Sequence, residues 1–275
     1  MLSYTEFEDN MIGMSRYPDK FFELAVVDPQ YGINAPNLPM GSAPNRKDMK
    51  GNISVAKRLK GRLNSGGGKL KNRILNQSDI DWDDAPPPKE YFDELFRVSE
   101  NQIIWGGNYF DLPPTRGIIC WDKQQPWENF SQWEMAWTSF DKPAAMFRFS
   151  NTGGANKEAK IHPTQKPVEL YRWVYNKYAK PGDKILDTHA GSMSSVIAAV
   201  ETGFEITAFE ITAFENNKKY YMSAIERIEK RFSQKSMFND AVKIIRHTNR
   251  VEIYTQDEYH TNKNGIHDNP DTPLF

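Results

Sequence analysis

The sequence predicts an α/β fold: an open, mostly parallel sheet with helices packed on both faces. Three observations predict it. An unbroken apolar run, Phe22 to Val27, stops at Asp28-Pro29-Gln30-Tyr31-Gly32, as a buried central strand stops at a turn. From Lys89 onward, short strand-like runs alternate with helix-patterned segments. A short strand, Lys184 to Asp187, leads through a glycine-containing loop, His189-Ala190-Gly191-Ser192-Met193-Ser194, into a further helical pattern.

In chain order, Met1 to Asn10 is acidic and has no apolar core, and Met11 to Lys20 reads as a short amphipathic turn punctuated by Pro18-Asp19 and used for packing. The strand to Val27 delivers Asp28, Pro29 and Tyr31 to its carboxyl end, where ligands of open α/β sheets bind. Asp28 can accept from an amino group, the Pro29 carbonyl offers a second acceptor, and Tyr31 can stack on a planar ring. Those three groups suit the exocyclic amine of a base. From Ile33 to Asp81 hydrophobic periodicity disappears and Gly66-Gly67-Gly68 breaks any helix, so a long loop is expected over 33–81. Within it Arg46, Lys47, Lys50, Lys57, Arg58, Lys60, Arg62, Lys69, Lys71 and Arg73 are set against Asp48 alone. Such a charge run can be a solvated segment, but its place directly after Tyr31 favours contact with a phosphate backbone, with Arg46, Lys47, Arg58, Lys60 and Arg62 as DNA-binding candidates.

Pro86-Pro87-Pro88 restarts order, and Tyr91, Phe92, Leu95, Phe96 and Val98 recur at helical spacing over Lys89 to Glu100. A strand, Gln102 to Trp105, follows and ends in Gly106-Gly107-Asn108-Tyr109-Phe110, where the glycines allow either close approach to a ligand or a tight turn. Gly117 to Trp121 reads as the next strand, with Asp122 and Lys123 at its end. Trp127, Phe130, Trp133, Trp137 and Phe140 are expected to be mostly core, although aromatic rings can stack on unpaired bases, and Ala144 to Phe149 completes a strand. A polar loop, Asn151 to Lys160, leads to His162-Pro163-Thr164-Gln165-Lys166-Pro167; Pro167 opens a helix carrying Val168, Leu170, Tyr171, Val174 and Tyr178. Lys180-Pro181-Gly182-Asp183 turns the chain into the strand Lys184 to Asp187.

The loop through Gly191 is followed by a helix, Ser194 to Thr202, closed by Gly203, and then by a strand, Phe204 to Glu210, ending in an acid suited to ribose hydroxyls. Phe204-Glu205-Ile206-Thr207-Ala208 is repeated as Phe209 to Ala213, which leaves two acids in contention. Spacing from Gly203 selects Glu210; spacing to the helix at Tyr220 selects Glu215. Strand length counted from the preceding turn favours Glu210. Asn216 can cap the last clear helix, which runs through Ile225, Ile228 and Phe232. Beyond Ser233 the chain is polar, with a short strand expected at Val251 to Tyr254 and a disordered end.

Three of these stretches carry a resemblance. Asp28-Pro29-Gln30-Tyr31 resembles the Asp-Pro-Pro-Tyr signature of S-adenosylmethionine-dependent DNA amino-methyltransferases, Ile185 to Ser194 resembles their glycine-rich cofactor loop, and His162 to Pro167 resembles the segment that precedes it. The order, tetrapeptide first and cofactor loop last, is that of the permuted β group, phage-type enzymes included, and the similarity spans roughly 11–232. It implies a circularly permuted Rossmann-like methyltransferase fold with a mostly parallel seven-stranded sheet over 1–232, a target-recognition region within 121–161 and a polar C-terminal extension over 233–275. It also implies methylation of adenine N6, or alternatively cytosine N4, on a flipped base in site-specific DNA, as in restriction-modification. Asp28, Pro29, Gln30 and Tyr31 would be catalytic. Asp187, His189, Gly191, Ser192, Glu210, Thr164 and Lys166 would bind S-adenosylmethionine, Thr164 and Lys166 near its methionine carboxylate, and no metal would be needed. The Asp form of the tetrapeptide resembles adenine enzymes more than cytosine ones. Two positions depart from the signatures: Gln30 replaces the second proline, and Met193 replaces the second glycine of the loop, where a long side chain could obstruct the cofactor and leave a DNA-binding protein without activity.

Composition adds boundaries. A formal net charge of -1 does not argue against nucleic acid, because a basic patch can be offset by an acidic remainder. Cys120 is the single cysteine, which forbids an intrachain disulfide and multi-thiolate metal clusters and fits a reducing cytoplasm, bacterial or phage-infected. No run approaches the roughly 20 apolar residues of a membrane span. The last residues, Pro273-Leu274-Phe275, faintly resemble sliding-clamp-binding tails, and a monomer or homodimer is expected.

Overall fold

A computed structural model describes residues 2–34, 39–40, 68–69, 83–124, 131–150, 160–205, 210–233 and 242–255. In chain order they form β1 (Leu2–Phe7), α1 (Asn10–Ser15), β2 (Phe22–Val27), α2 (Lys89–Val98), β3 (Ser99–Trp105), β4 (Ile118–Asp122), β5 (Trp133–Thr138) and β6 (Ala145–Arg148). There follow α3 (Val168–Tyr178), β7 (Lys184–Asp187), α4 (Ser194–Glu205), β8 (Glu210–Glu215), α5 (Lys218–Ser233), β9 (Val242–Arg246) and β10 (Arg250–Thr255). A two-residue ladder joins Pro39–Met40 to Gly68–Lys69.

The main sheet has ten strands in the order β9-β10-β1-β8-β7-β2-β3-β5-β4-β6. From β1 through β3 all neighbours run parallel, whereas β5 is antiparallel to both β3 and β4. The expected Rossmann-like sheet of seven is the stretch from β1 to β4. It is widened by β6 at one edge and the β9–β10 hairpin at the other.

Parallel strands covered on both faces must be apolar along their whole length, and Leu24 to Val27 and Ile103 to Trp105 are at most 1% exposed. One apolar cluster gathers Leu24, Val26 and Trp105 with α3, α4 and α5; the other gathers Ala25, Val27 and Ile104 with Met14 of α1 and Tyr91 and Leu95 of α2. The chain leaves β7 through α4 toward β8, and leaves β2 through α2 toward β3 on the opposite side. The sheet order therefore reverses between β7 and β2, and a crevice opens outside their carboxyl ends.

Several expectations are corrected. Helix α4 continues to Glu205 rather than ending before Gly203, and the strand after it is Glu210–Glu215, not Phe204–Glu210. Glu210 thus opens β8, paired to Lys184 at the start of β7, while the acid at the carboxyl end is Glu215. Asn217, not Asn216, caps α5, its side chain accepting from the Lys219 and Tyr220 amides. The segment 2–7 is a strand of the main sheet, whereas the short strand expected at Val251 to Tyr254 is present within β10, which pairs with β1 and β9. Arg46, Lys47, Arg58, Lys60, Arg62, the duplicated residues 206–209 and Pro273-Leu274-Phe275 lie outside the described residues.

Candidate active site

The crevice is a cleft of about 1190 Å³. Its lining includes Asp28, Pro29, Gln30 and Tyr31 after β2, Thr164 and Lys166 before α3, and His189, Gly191 and Ser192 after β7. Of the sequence-predicted residues that are described, Glu210 is not among the lining, and Asp187 sits beneath the loop instead of facing the cleft.

At the end of β2, the Tyr31 hydroxyl donates to Asp28 Oδ1 at 2.7 Å, and the Lys166 ammonium lies 2.5 Å from Asp28 Oδ2 and 3.3 Å from the Tyr31 hydroxyl. Lys166 also lies 3.1 Å from Glu134 Oε2, and Lys123 pairs with the other oxygen of Glu134. Two carboxylates and two ammoniums therefore alternate along one wall of the cleft. Burial pushes the Asp28 carboxyl up, with Lys166 pulling against it. Burial alone would raise Glu134 too, but Lys166 and Lys123 together hold it at about 2. Lys166, expected to bind the cofactor, pairs with Asp28. No local pattern singles out Glu134, although an acid within the aromatic-rich β5 needs a partner once buried.

Tyr31 packs where the backbone gives way to it. Gly106 has φ +72°, and a Cβ there would meet the Tyr31 ring at 2.2 Å, so the first glycine after β3 makes room for this ring rather than directly for a ligand. Tyr109 stacks on Tyr31 with ring centroids 4.9 Å apart and planes 15° from parallel.

Across the cleft, the loop after β7 is built from backbone amides and buried acids. The Glu215 carboxylate accepts from the amides of Gly191 and Asn217, each at 2.8 Å. Asp187 accepts from the Ser195 hydroxyl and from the His189 amide at 3.0 Å. Burial pushes Asp187 up to about 7 and raises Glu215, and no cation pairs with either among the described residues. His189 is held at about 3 by burial and so stays neutral, with Asn10 and Thr188 against its two ring nitrogens. His162, likewise held at about 3 by burial and by Lys166, packs edge-on against Tyr220. Arg227 of α5 donates to the Ser192 carbonyl at 2.6 Å and the Ser194 hydroxyl at 3.0 Å, a clamp under the loop that no local pattern announces.

Met193 keeps the backbone conformation of a glycine, with φ +55°, yet its side chain is fully buried in the apolar cluster beneath the loop and does not line the cleft. The expected obstruction is therefore absent: the substitution is absorbed on the core side. A Cβ on Gly191, also at positive φ, would meet nothing closer than 3.9 Å, so the space above this loop is open.

The chain is similar to several known proteins. Residues 104–226 match the N6/N4 methyltransferase family model, described as DNA methylase. The chain is 27% identical over 128 residues to the type II methyltransferase M2.MboI of Moraxella bovis, an alignment covering 46% of this chain and 41% of that protein. The chain thus spans about two fifths of the length of the curated relative it matches. Among solved structures it is similar to the M1.HpyAVI-SAM complex, with TM-score 0.44 and 14% identity over 82% of this chain and 98% of that one. It is also similar to the PvuII DNA methyltransferase (cytosine-N4-specific), with TM-score 0.45 and 11% identity over 82% and 89% of the two chains. A further similarity is to the Thermus thermophilus protein TTHA0409 complexed with S-adenosyl-L-methionine, with TM-score 0.42 and 16% identity over 82% and 94%.

Proposed function

We propose that the chain, whose residues 104–226 match the N6/N4 DNA methylase family model, methylates the exocyclic amine of a base flipped out of DNA, adenine N6 first, using S-adenosylmethionine. The observation that carries this reading is that the Asp28 turn and the Gly191 loop, far apart in sequence, line one cleft at the reversal of strand order.

The residues present fit the cofactor. Open space over Gly191 admits a ligand against the backbone, Glu215 is the rim carboxylate suited to ribose hydroxyls in place of Glu210, and Ser192, Thr164 and His189 complete that wall. When bound, the sulfonium supplies an electrophilic methyl group. The protein positions and desolvates, a contribution that reaches roughly 7–11 kcal/mol in well-oriented systems.

Asp28 and the Pro29 carbonyl accept from the amine, which pulls it toward a pyramidal geometry and turns its lone pair into the cleft. Lys166 pulls against the burial that pushes the Asp28 carboxyl up, which favours the acceptor form. Tyr31 offers its ring to the extruded base and recovers part of the few kcal/mol that unstacking costs. Gln30 lines the cleft and leaves both neighbouring acceptors in place. The basic segment from Arg46 to Arg62 is proposed to hold the phosphate backbone.

The test combines titration calorimetry with S-adenosylmethionine and transfer of its tritiated methyl group to unmethylated DNA or RNA. Modification-sensitive sequencing of DNA from cells expressing the chain then locates the product. Label on DNA at N6-methyladenine in one sequence context is expected. Protein that binds the cofactor but labels RNA alone, or nothing, overturns the proposal.

A further inference from the structure

The wall of the cleft that would hold the base carries more polar groups than gripping an amine requires. Asp28 Oδ2, Lys166 Nζ and Glu134 Oε2 follow one another at 2.5 Å and 3.1 Å, so an acceptor, a donor and a second acceptor are set in a row, and all three residues line the cleft. Apart from the ion pair with Lys166, Glu134 Oε2 is buried with no hydrogen-bond partner, while Lys123 occupies the other oxygen. Lys166 contacts the Tyr31 hydroxyl only at 3.3 Å, the weakest of its contacts and the one a ring atom can replace.

That row can be compared with the two candidate bases. Next to its exocyclic amine, adenine presents N1, an acceptor, and then a C2–H group. Cytosine presents N3, also an acceptor, and then O2, a second acceptor. A carboxylate tolerates a weakly polarised C–H but repels a carbonyl oxygen, and in a dry pocket such a mismatch is not relieved by water.

We propose that Lys166 and Glu134 read the Watson–Crick edge of the flipped base: Lys166 donates to the ring nitrogen beside the amine, and Glu134 rejects an oxygen at the following position. The pocket thereby accepts adenine and turns cytosine away. This inference rests on the DNA-methylating reading above and deepens it by moving base choice from the tetrapeptide to two residues on other elements.

The experiment uses the full chain and a duplex carrying its own modified sequence, with adenine, 1-deazaadenine or cytosine at the target position, and measures kcat/KM for tritiated methyl transfer. Replacing N1 by C–H is expected to lower kcat/KM at least about tenfold, the worth of one hydrogen bond from a charged donor. Glu134→Gln, whose amide N–H can donate to O2, is expected to raise the cytosine-to-adenine ratio at least about tenfold. Equal rates on adenine and 1-deazaadenine overturn the role of Lys166, whether or not the variant folds. An unchanged base ratio in a Glu134→Gln protein with native circular dichroism overturns that of Glu134. Wild-type transfer to cytosine overturns this inference while leaving DNA methylation standing; transfer to no DNA base overturns both.

Discussion

The two walls of the cleft solve the burial of acids in opposite ways. On the β2 side, Asp28 and Glu134 are matched by Lys166 and Lys123, so the wall is polar but formally neutral. On the β7–β8 side, Asp187 and Glu215 are matched only by hydroxyl and amide donors among the described residues, and burial raises the pKa of both. An acid buried without a counter-ion favours a cationic ligand, whereas a compensated wall suits a neutral heterocycle. Under the proposed function, that difference would suit the positively charged sulfonium donor to one wall and the uncharged base to the other. On the same proposal the donor wall would hold its product less tightly, since loss of the methyl group removes the sulfonium charge.

The most severe way to break this comparison is Asp28→Ala. It should lower methyl transfer by about 10²–10³-fold or more, as loss of a group acting at the reacting atom does, while calorimetry finds cofactor affinity within about threefold of wild type. Equal loss of affinity would mean that the two walls are not separate. Next in size, Glu215→Gln should weaken S-adenosylmethionine binding roughly 10- to 100-fold, because an amide cannot accept from two backbone N–H groups and the ribose together. Glu210→Gln, at the far end of the same strand, should change it less than about twofold, and the reverse result would return the ribose role to Glu210.

Met193→Gly sharpens the comparison on the stability axis. The glycine relieves an unfavourable backbone conformation of about 1 kcal/mol or more but removes a fully buried side chain worth more, so denaturant unfolding should show a net loss of roughly 1–3 kcal/mol. Cofactor affinity should hold within about twofold. A large gain in affinity would show the thioether to obstruct the donor wall.

What could be read in the chain follows from where the information lies. The apolar run to Val27, the turn at Asp28 and the strand Lys184 to Asp187 are bounded by residues that cannot continue a strand, so local pattern suffices. The duplicated Phe-Glu-Ile-Thr-Ala defeats that reasoning, since either copy makes an acceptable strand; pairing of Ile211 with Ile185 and Ala213 with Asp187 selects the second. Strand β1 escapes sequence reading because Ser3 and Thr5 are polar yet fully buried, and its partners are β8 and β10, more than two hundred residues away by register. The alternating charges of the base wall come from β2, β4, β5 and the approach to α3, and no spacing rule joins them.

Asp187 distinguishes a ligand from a support. Its carboxyl stands at about 7 in the folded chain against an ordinary value of 3.8, so the folded state binds this proton more tightly than the unfolded one. Stability then falls as pH rises between those two values and is flat above, the reverse of a salt-bridged acid. Asp187→Asn, which carries no charge at any pH, should lose this dependence. Its stability in denaturant, relative to wild type, should therefore climb between about pH 4 and pH 7 by an amount on the order of 3–4 kcal/mol. The acid lies beneath the loop, bonded to Ser195 and His189, so cofactor affinity should move far less than in Glu215→Gln. A parallel collapse of affinity would instead make Asp187 a direct partner of the donor.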